Sequence, residues 1–446
     1  MQSLRREFRH FLSYPRDMRI LLLTNLVYGF VLPVIEIFVG AYVMRNSNDV
    51  KMVVAYQLAV YTGIPITFYL NGLLMPHVKI ARLYSMGMLL SGISMTLMMS
   101  LGRLSLGGIA AAGLVMGMSF GLYWANRDFL ALSSTDDSNR NYYYGIENFF
   151  ATNIAIVVPL GIGAFIAAWS RNAWFGGVIN HAYQVVTAAV FLLAVLASLL
   201  VHRGGFHSPP PTRFVFFRYH RLWRKLQWVA ILRGLTSGYI VTAPAMLIMR
   251  LVGKEGSIGV IQSAGAVLSA IILYMIGRLT GPKHRIYLYT LGLALFVIGT
   301  VPNALMFNST GVLIFMGCLL LARPLQDIAY FTMQMLVIDT VSAIERRNTY
   351  AYIFNQEFGY YIGRASGCIM FILLAFYVSD TFALRYALLM VAVLQLFSAF
   401  LARDILAECA ATVHPGADEW AAERAAAAIS GFALEAPAPA LPPAET

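Results

Sequence analysis

Charge is what this sequence has least of. Of its 446 residues only 12% are Asp, Glu, Lys or Arg, while 59% are hydrophobic and the mean hydropathy is +0.69. Soluble domains carry about a quarter charged residues, so the scarcity excludes an ordinary soluble chain and implies an integral membrane protein. Cysteine is scarce too. Cys318, Cys368 and Cys409 are scattered without paired spacing, which gives neither a disulfide framework nor a metal-ligand pattern. A cleavable leader is not expected either. The first apolar run, Arg19 to Met44, is too long for a signal core and lacks a small-residue cleavage site, so it reads as an uncleaved first span. No loop carries a phosphate-cradling motif, and no nucleophile–base constellation or catalytic domain stands outside the apolar segments. Neither an enzyme nor a bound cofactor is expected.

What is present is a series of long apolar runs. A helix needs about 20 mostly apolar residues to cross the hydrocarbon. Twelve stretches meet that length: 19–44, 51–75, 80–101, 105–132, 142–169, 181–202, 226–252, 256–279, 285–307, 310–336, 348–378 and 383–403. Turn chemistry or charge separates them, as in "RNSNDVK", "STDDSNRN" and "TGPKHR". An even number of spans puts both chain ends on one side. Counting Arg and Lys in the loops and helix ends gives twenty on that side and seven on the other. The positive-inside rule makes the termini cytoplasmic, in a bacterial inner (plasma) membrane. The formal charge of +11 is then mostly topology, and no nucleic-acid partner is expected.

The longest loop on the terminal side splits the spans six and six. The expected organisation is a cytoplasmic segment over 1–18, a six-helix bundle over 19–202, a linker over 203–225, a second bundle over 226–403, and a largely disordered tail over 404–446. That tail includes one short helical candidate at 417–429. The linker's second half mixes basic with aromatic residues, as a membrane-surface helix does.

The two halves resemble each other. "YLNGLLMPHVKIARLYSMG" (69–87) lies over "YMIGRLTGPKHRIYLYTLG" (274–292), and "RNYY" (140–143) over "RNTY" (347–350). Parallel repeats of this kind are the layout of secondary transporters whose halves rock around a central site.

With these motifs in view, the sequence resembles the Major Facilitator Superfamily. "RNYYYGIENFFATNIAIVVPLGIG" (140–163) follows that family's span-five pattern, with Arg140, Gly145, Pro159 and Gly163 in place. "GRLTGPKH" (277–284) is similar to its loop motif between spans two and three of each half, through Gly277, Leu279, Lys283 and Arg285. The first-half copy keeps Gly72 and Leu74 but has Pro76 where the family usually has Asp. The resemblance implies an all-α fold of 12 transmembrane helices in two pseudo-repeated six-helix bundles. Spans one, four, seven and ten would line a cavity, and every third helix would be an outer support.

A charge at the bilayer centre costs about 2.5 kcal/mol or more, so it persists facing a cavity or a partner. The charges inside the spans are Glu36, Arg127, Asp128, Glu147, Arg233, Arg323, Asp327, Glu357 and Arg364, and none falls in the interior of spans three, six, nine or twelve. Arg323 and Asp327, four apart, share a helix face and can pair. A cluster of these two with Glu357 and Arg364 is expected. Arg127 and Asp128 are about 100° apart on a helix and cannot share a partner. Two readings stand for them: a polar cluster in which Glu147 pairs Arg127, or charges marking the cytoplasmic end of span four. Glu147 reads equally as decoration against a helix start, and Arg233 as snorkelling to the surface. Asn126 and Asn355 are polar on cavity-type spans, with interhelical hydrogen bonding as the plainer role. Tyr28, Tyr61, Tyr123, Trp124, Tyr330 and Tyr361 suit a solute-contacting wall, or simple packing.

The expected function is secondary active transport of a small polar organic solute by alternating access, coupled to protons, leaning to export. Glu357 and Glu36 are the preferred proton sites because they lie deepest. Expected partners are the solute, protons and the lipid bilayer, with the protein a monomer. Uptake of a similar solute, a non-transporting receptor or scaffold, and a lipid flippase are the alternatives.

Overall fold

The computed structural model describes residues 11–101, 104–134, 140–206, 215–253, 255–279, 284–347 and 349–413. No strand occurs among them. Twelve helical segments follow one another: α1 (Arg16–Ser47), α2 (Val50–Leu74), α3 (Ile80–Ser100), α4 (Leu106–Ser134), α5 (Arg140–Arg171), α6 (Ile179–Val201), α7 (Arg221–Val252), α8 (Glu255–Leu279), α9 (Arg285–Met306), α10 (Ser309–Glu345), α11 (Thr349–Tyr377) and α12 (Asp380–Val413). The chain is an all-α polytopic membrane protein. Large apolar side chains stand exposed on the outward helices, among them Leu192 and Leu199 on α6, Ile298 and Leu305 on α9, and Phe397 and Phe400 on α12. Such a girdle is stable only against hydrocarbon.

Local chemistry sets the helix ends. Asp49 caps α2 by accepting from the Lys51 N–H at 2.8 Å, and Asn308 caps α10 by accepting from the Gly311 N–H at 2.9 Å. Asn48 closes α1 in the left-handed region at φ 50°.

Three helix ends depart furthest from the spans read in the sequence. α10 runs nine residues beyond 336, to Glu345. α7 begins at Arg221, inside the segment read as linker. The tail does not begin at 404, because α12 continues to Val413 with Ile405 and Cys409 buried and Asp404 and Glu408 both paired with Lys225 of α7. Burial of those two apolar side chains against the start of α7 extends the helix past the bilayer-length run. The 417–429 candidate, the centre of the linker and Lys283 lie outside the described residues.

The first helix of each half is broken in the same way. In α1 the turn at Phe30–Val31 closes with Val31 N–H donating to the Tyr28 carbonyl, and in α7 Thr242 N–H donates to the Tyr239 carbonyl. Two residues further, Pro33 and Pro244 each lack the N–H that would bond the carbonyl four back, so the helix tightens to a shorter turn there. Tyr28 with Pro33 therefore repeats Tyr239 with Pro244, a correspondence the sequence comparison missed. A π turn follows in α1 at Val34–Phe38 and, later, in α7 at Ile248–Val252.

Helices α1–α6 pack chiefly among themselves, as do α7–α12; the two sets meet along α2 with α11 and along α5 with α8. The end of the bundle opposite the chain ends is closed. There Lys51 of α2 reaches Asp380 of α12 at 2.9 Å, and Val39–Ser47 packs on the second piece of α7. Gly259 of α8 sits so close to Pro159 and Gly163 of α5 that a Cβ would fall 3.1 Å from the Gly163 Cα. Ser263 of α8 donates to the Ile156 carbonyl at 2.6 Å, and Tyr61 of α2 to the Ser237 carbonyl at 2.9 Å.

Candidate functional site: charges inside the bundle

The α4–α5 charges form one network. Arg127 meets Glu147 through two bonds, 3.1 Å from Nε and 2.6 Å from the terminal nitrogen, and reaches Asp128 at 2.8 Å. Asn25 of α1 donates to Glu147 at 2.7 Å and to the Tyr143 hydroxyl at 3.0 Å, and accepts from Tyr84 of α3 at 2.6 Å. The guanidinium of Arg127 also lies 5.2 Å from the Trp124 ring centroid. Charge-assisted bonds of this kind tie α1, α3, α4 and α5 together. The expected Arg127–Glu147 pair is present, and the Asp128 side chain remains 59% exposed beside it.

In the second half the expected cluster is rearranged. Asp327 pairs with Arg233 of α7, not with Arg323, and the Arg233 guanidinium lies 4.5 Å from the Tyr330 ring centroid and 5.4 Å from that of Phe331. It therefore does not snorkel to the surface. The guanidinium gains a carboxylate and two ring faces from α10, which satisfies Asp327 from across the helix gap. Glu357 pairs with Arg364 of its own helix at 3.6 Å, and Arg364 stacks between Tyr61 of α2 at 5.1 Å and Tyr360 at 5.0 Å. Asp128 of the first half lies near enough to Glu357 for their charges to interact.

Two charges are left over. Glu36 and Arg323 are each accessible to water and neither has an ion-pair or hydrogen-bond partner among the described residues. Glu36 lies within electrostatic reach of Arg323. The π turn explains its exposure: an inserted residue shifts Glu36 out of register while its neighbours Val34, Ile35 and Phe38 stay buried.

Other expected site residues take packing positions. Asn126 is fully buried, donating to Asn71 at 2.8 Å and to the Leu122 carbonyl, so it is an interhelical tie and not a cavity group. Asn355 accepts from Trp223 and Gln227 of α7 at 2.8 and 2.6 Å. Tyr28, Tyr123 and Tyr330 are buried in ring packing and back the wall rather than face it; Trp124 and Tyr361 keep exposed surface. Of the family-motif residues, Pro159 and Gly163 form the contact with α8 described above, while Gly72 lies buried near the end of α2. Arg140, Gly145 and Gly277 lie within α5 and α8, and Arg285 opens α9. Sequence reasoning missed Tyr84, Tyr143 and Gln395. The last joins Gln326 and Thr236 at 3.1 and 3.0 Å, and its one signal was an amide in mid-span. Among the described residues no three His, Cys, Asp or Glu side chains gather as a metal site would need.

No family model matches the chain. Solved structures do resemble it. A POT family transporter, crystallised with a thioalcohol-conjugated peptide, superposes with a TM-score of 0.65 at 11% identity, covering 88% of this chain and 97% of that one. The fold is that of Major Facilitator transporters. A bacterial homologue of the iron transporter ferroportin, in its inward-facing state, gives a TM-score of 0.60 at 16% identity, over 86% of this chain and 98% of that one. In sequence, the chain is 22% identical over 340 residues to YqgE, an uncharacterised protein of Bacillus subtilis (strain 168), covering 76% of this chain and 77% of that protein.

Proposed function

We propose that this transporter-type fold carries a small polar organic solute across the cytoplasmic membrane of a bacterium by alternating access, as a monomer, driven by protons and leaning to export. The single observation behind the reading is that charges of the two halves come within electrostatic reach of one another deep in the spans, Glu36 of α1 with Arg323 of α10 and Asp128 of α4 with Glu357 of α11. Ionised groups are tolerated at that depth when water or a ligand reaches them. Both termini are read as cytoplasmic from the loop arginines and lysines, so the end where Lys51 meets Asp380 is the outer one. The two six-helix bundles, 19–202 and 226–403, would rock about the α2/α11 and α5/α8 contacts. Accessible groups of both signs, Arg323 with Glu36 and Asp128, suit a polar organic solute better than a bare ion of one sign. Glu357 is the coupling residue in this reading. Its partner Arg364 also stacks on Tyr61 of the other half, so opening that contact changes the charge beside the carboxylate and with it the proton affinity.

The test begins with a thermal-shift screen for a stabilising solute, followed by its flux in proteoliposomes under an imposed pH gradient. Glu357→Gln is expected to bind solute and exchange it while losing gradient-driven accumulation. Undiminished accumulation removes Glu357 from coupling. A stabilising solute with no flux at all leaves a receptor.

A further inference from the structure

Among the described residues, nine charged side chains fall inside the spans read from the sequence. Seven are paired: Arg127 with Glu147 and Asp128, Arg233 with Asp327, and Arg364 with Glu357. Glu36 and Arg323 remain, one negative and one positive, one on α1 and one on α10, one from each half of the molecule. Each keeps exposed surface, and the two lie within electrostatic reach of one another. Their mutual attraction does not bring them into contact, so a gap separates the two poles.

An unpaired carboxylate and an unpaired guanidinium inside a membrane protein each carry a desolvation cost that a ligand of opposite charge removes. A solute with one charge would satisfy one pole and leave the other bare. A solute carrying both charges satisfies the two together and adds no net charge to the interior. The guanidinium fork matches a carboxylate or phosphate through two parallel bonds, and a carboxylate accepts well from an ammonium. Because the poles belong to different halves, a bridging solute also draws the halves together, as closure around a ligand requires.

We propose that Glu36 and Arg323 are the two ends of a binding site for a small zwitterionic solute, Arg323 holding its anionic group and Glu36 its cationic group. This names the solute class for the transport reading above and rests on that reading only for its physiological meaning. The backbone at one end is built for the role: the π turn of α1 turns Glu36 alone out of a buried stretch. Along α10, Asp327, one turn beyond Arg323, is occupied by Arg233 and leaves Arg323 free.

The test uses the full-length protein in detergent or nanodiscs, melted by tryptophan fluorescence. The probes are linear ω-amino acids from glycine to 6-aminohexanoate together with glycine betaine. Alongside each runs the matched carboxylate or amine lacking one charge. At least one zwitterion is expected to stabilise saturably, with its singly charged counterparts about tenfold or more weaker. Glu36→Gln and Arg323→Gln should each weaken the zwitterion about tenfold or more. The first should spare the carboxylate probe and the second the amine. Where either variant fails to fold, Glu36→Asp and Arg323→Lys keep the charge. Glu36→Asp retracts its pole by one methylene and should move the preferred ω-amino acid about one methylene longer. Exchanging the two residues, Glu36→Arg with Arg323→Glu, should restore binding of the linear zwitterions.

The proposal is overturned if no probe binds, if zwitterions bind no better than singly charged probes, or if both glutamine variants bind a zwitterion as the native protein does. A latch between the halves would alter the melting point without solute and leave charge selectivity unmoved, which also overturns it. The two readings separate in proteoliposomes. Zwitterion binding without flux keeps the site and removes transport. Gradient-driven flux of a neutral solute, indifferent to both variants, does the reverse.

Discussion

The α5/α8 contact offers a wedge experiment on the closed end of the molecule. Gly259 faces Pro159 and Gly163 so closely that a built Cβ would lie 3.1 Å from the Gly163 Cα and 3.2 Å from the Pro159 carbonyl carbon. Carbon atoms rest about 3.5–4.0 Å apart, so Gly259→Ala forces the helices apart by about 0.4–0.9 Å at this level. Overpacking of that order costs about 1–3 kcal/mol. The cost falls on the conformation in which α5 and α8 touch and is relieved where they separate. A bias of 1–3 kcal/mol shifts a two-state ratio about 5–150-fold. Gly161 lies two residues from Pro159 with nothing within 4 Å of a built Cβ, so Gly161→Ala is the control. Spin labels at Asn48→Cys and Val378→Cys report the separation of the halves at this end, both positions being exposed there. Cys318, Cys368 and Cys409 are first replaced by Ala. Gly259→Ala should raise the long-distance population at least about fivefold over Gly161→Ala. A folded Gly259→Ala with an unchanged distance distribution would refute a closed end held by this contact.

Three further outcomes follow from the packing. Glu147→Gln removes the two-pronged partner of Arg127 and one bond of Asn25; since the pair is partly accessible, a loss of about 1–3 kcal/mol is expected by thermal melting, and a double-mutant cycle with Arg127→Gln should give a clearly non-zero coupling. Gly117→Ala places a Cβ 2.9 Å from the Gly63 Cα and 2.8 Å from the Val60 carbonyl carbon, whereas at Gly107 a Cβ meets nothing within 4 Å. The first should destabilise by about 2 kcal/mol or more and the second should be neutral or slightly stabilising. Truncation after Val413 should leave the melting point unchanged. Truncation after Arg403 removes both partners of Lys225 and the buried Ile405 and Cys409, and should lower it measurably; equal melting points for the two truncations would contradict the extended α12.

How much was legible follows from which physics acts along the chain and which across it. The cost of exposing backbone to hydrocarbon forces helices of nearly fixed length, so twelve spans could be read from runs of apolar residues, with errors where tertiary contacts extended α10 and α12. Arg127 with Glu147 was readable because both lie at the adjoining ends of consecutive spans. Arg323 with Asp327 misled for the converse reason. Helical spacing permits that pair, but Arg233, 94 residues away, competes for Asp327 with two ring faces to add. The burial of Tyr28, Tyr123 and Tyr330 was likewise undecidable, since a tyrosine pattern is the same facing a cavity or a neighbouring helix.

The sequence by itself determined that the protein is a helical membrane chain of twelve spans in two related halves, with its charges kept off every third helix. Water avoidance and backbone hydrogen bonding act locally and leave that record in composition. Only the tertiary structure decided which charges neutralise one another and which two stay open. Ion pairing depends on a few ångströms between helices far apart in sequence, as where Arg233 takes Asp327 and leaves Arg323 open.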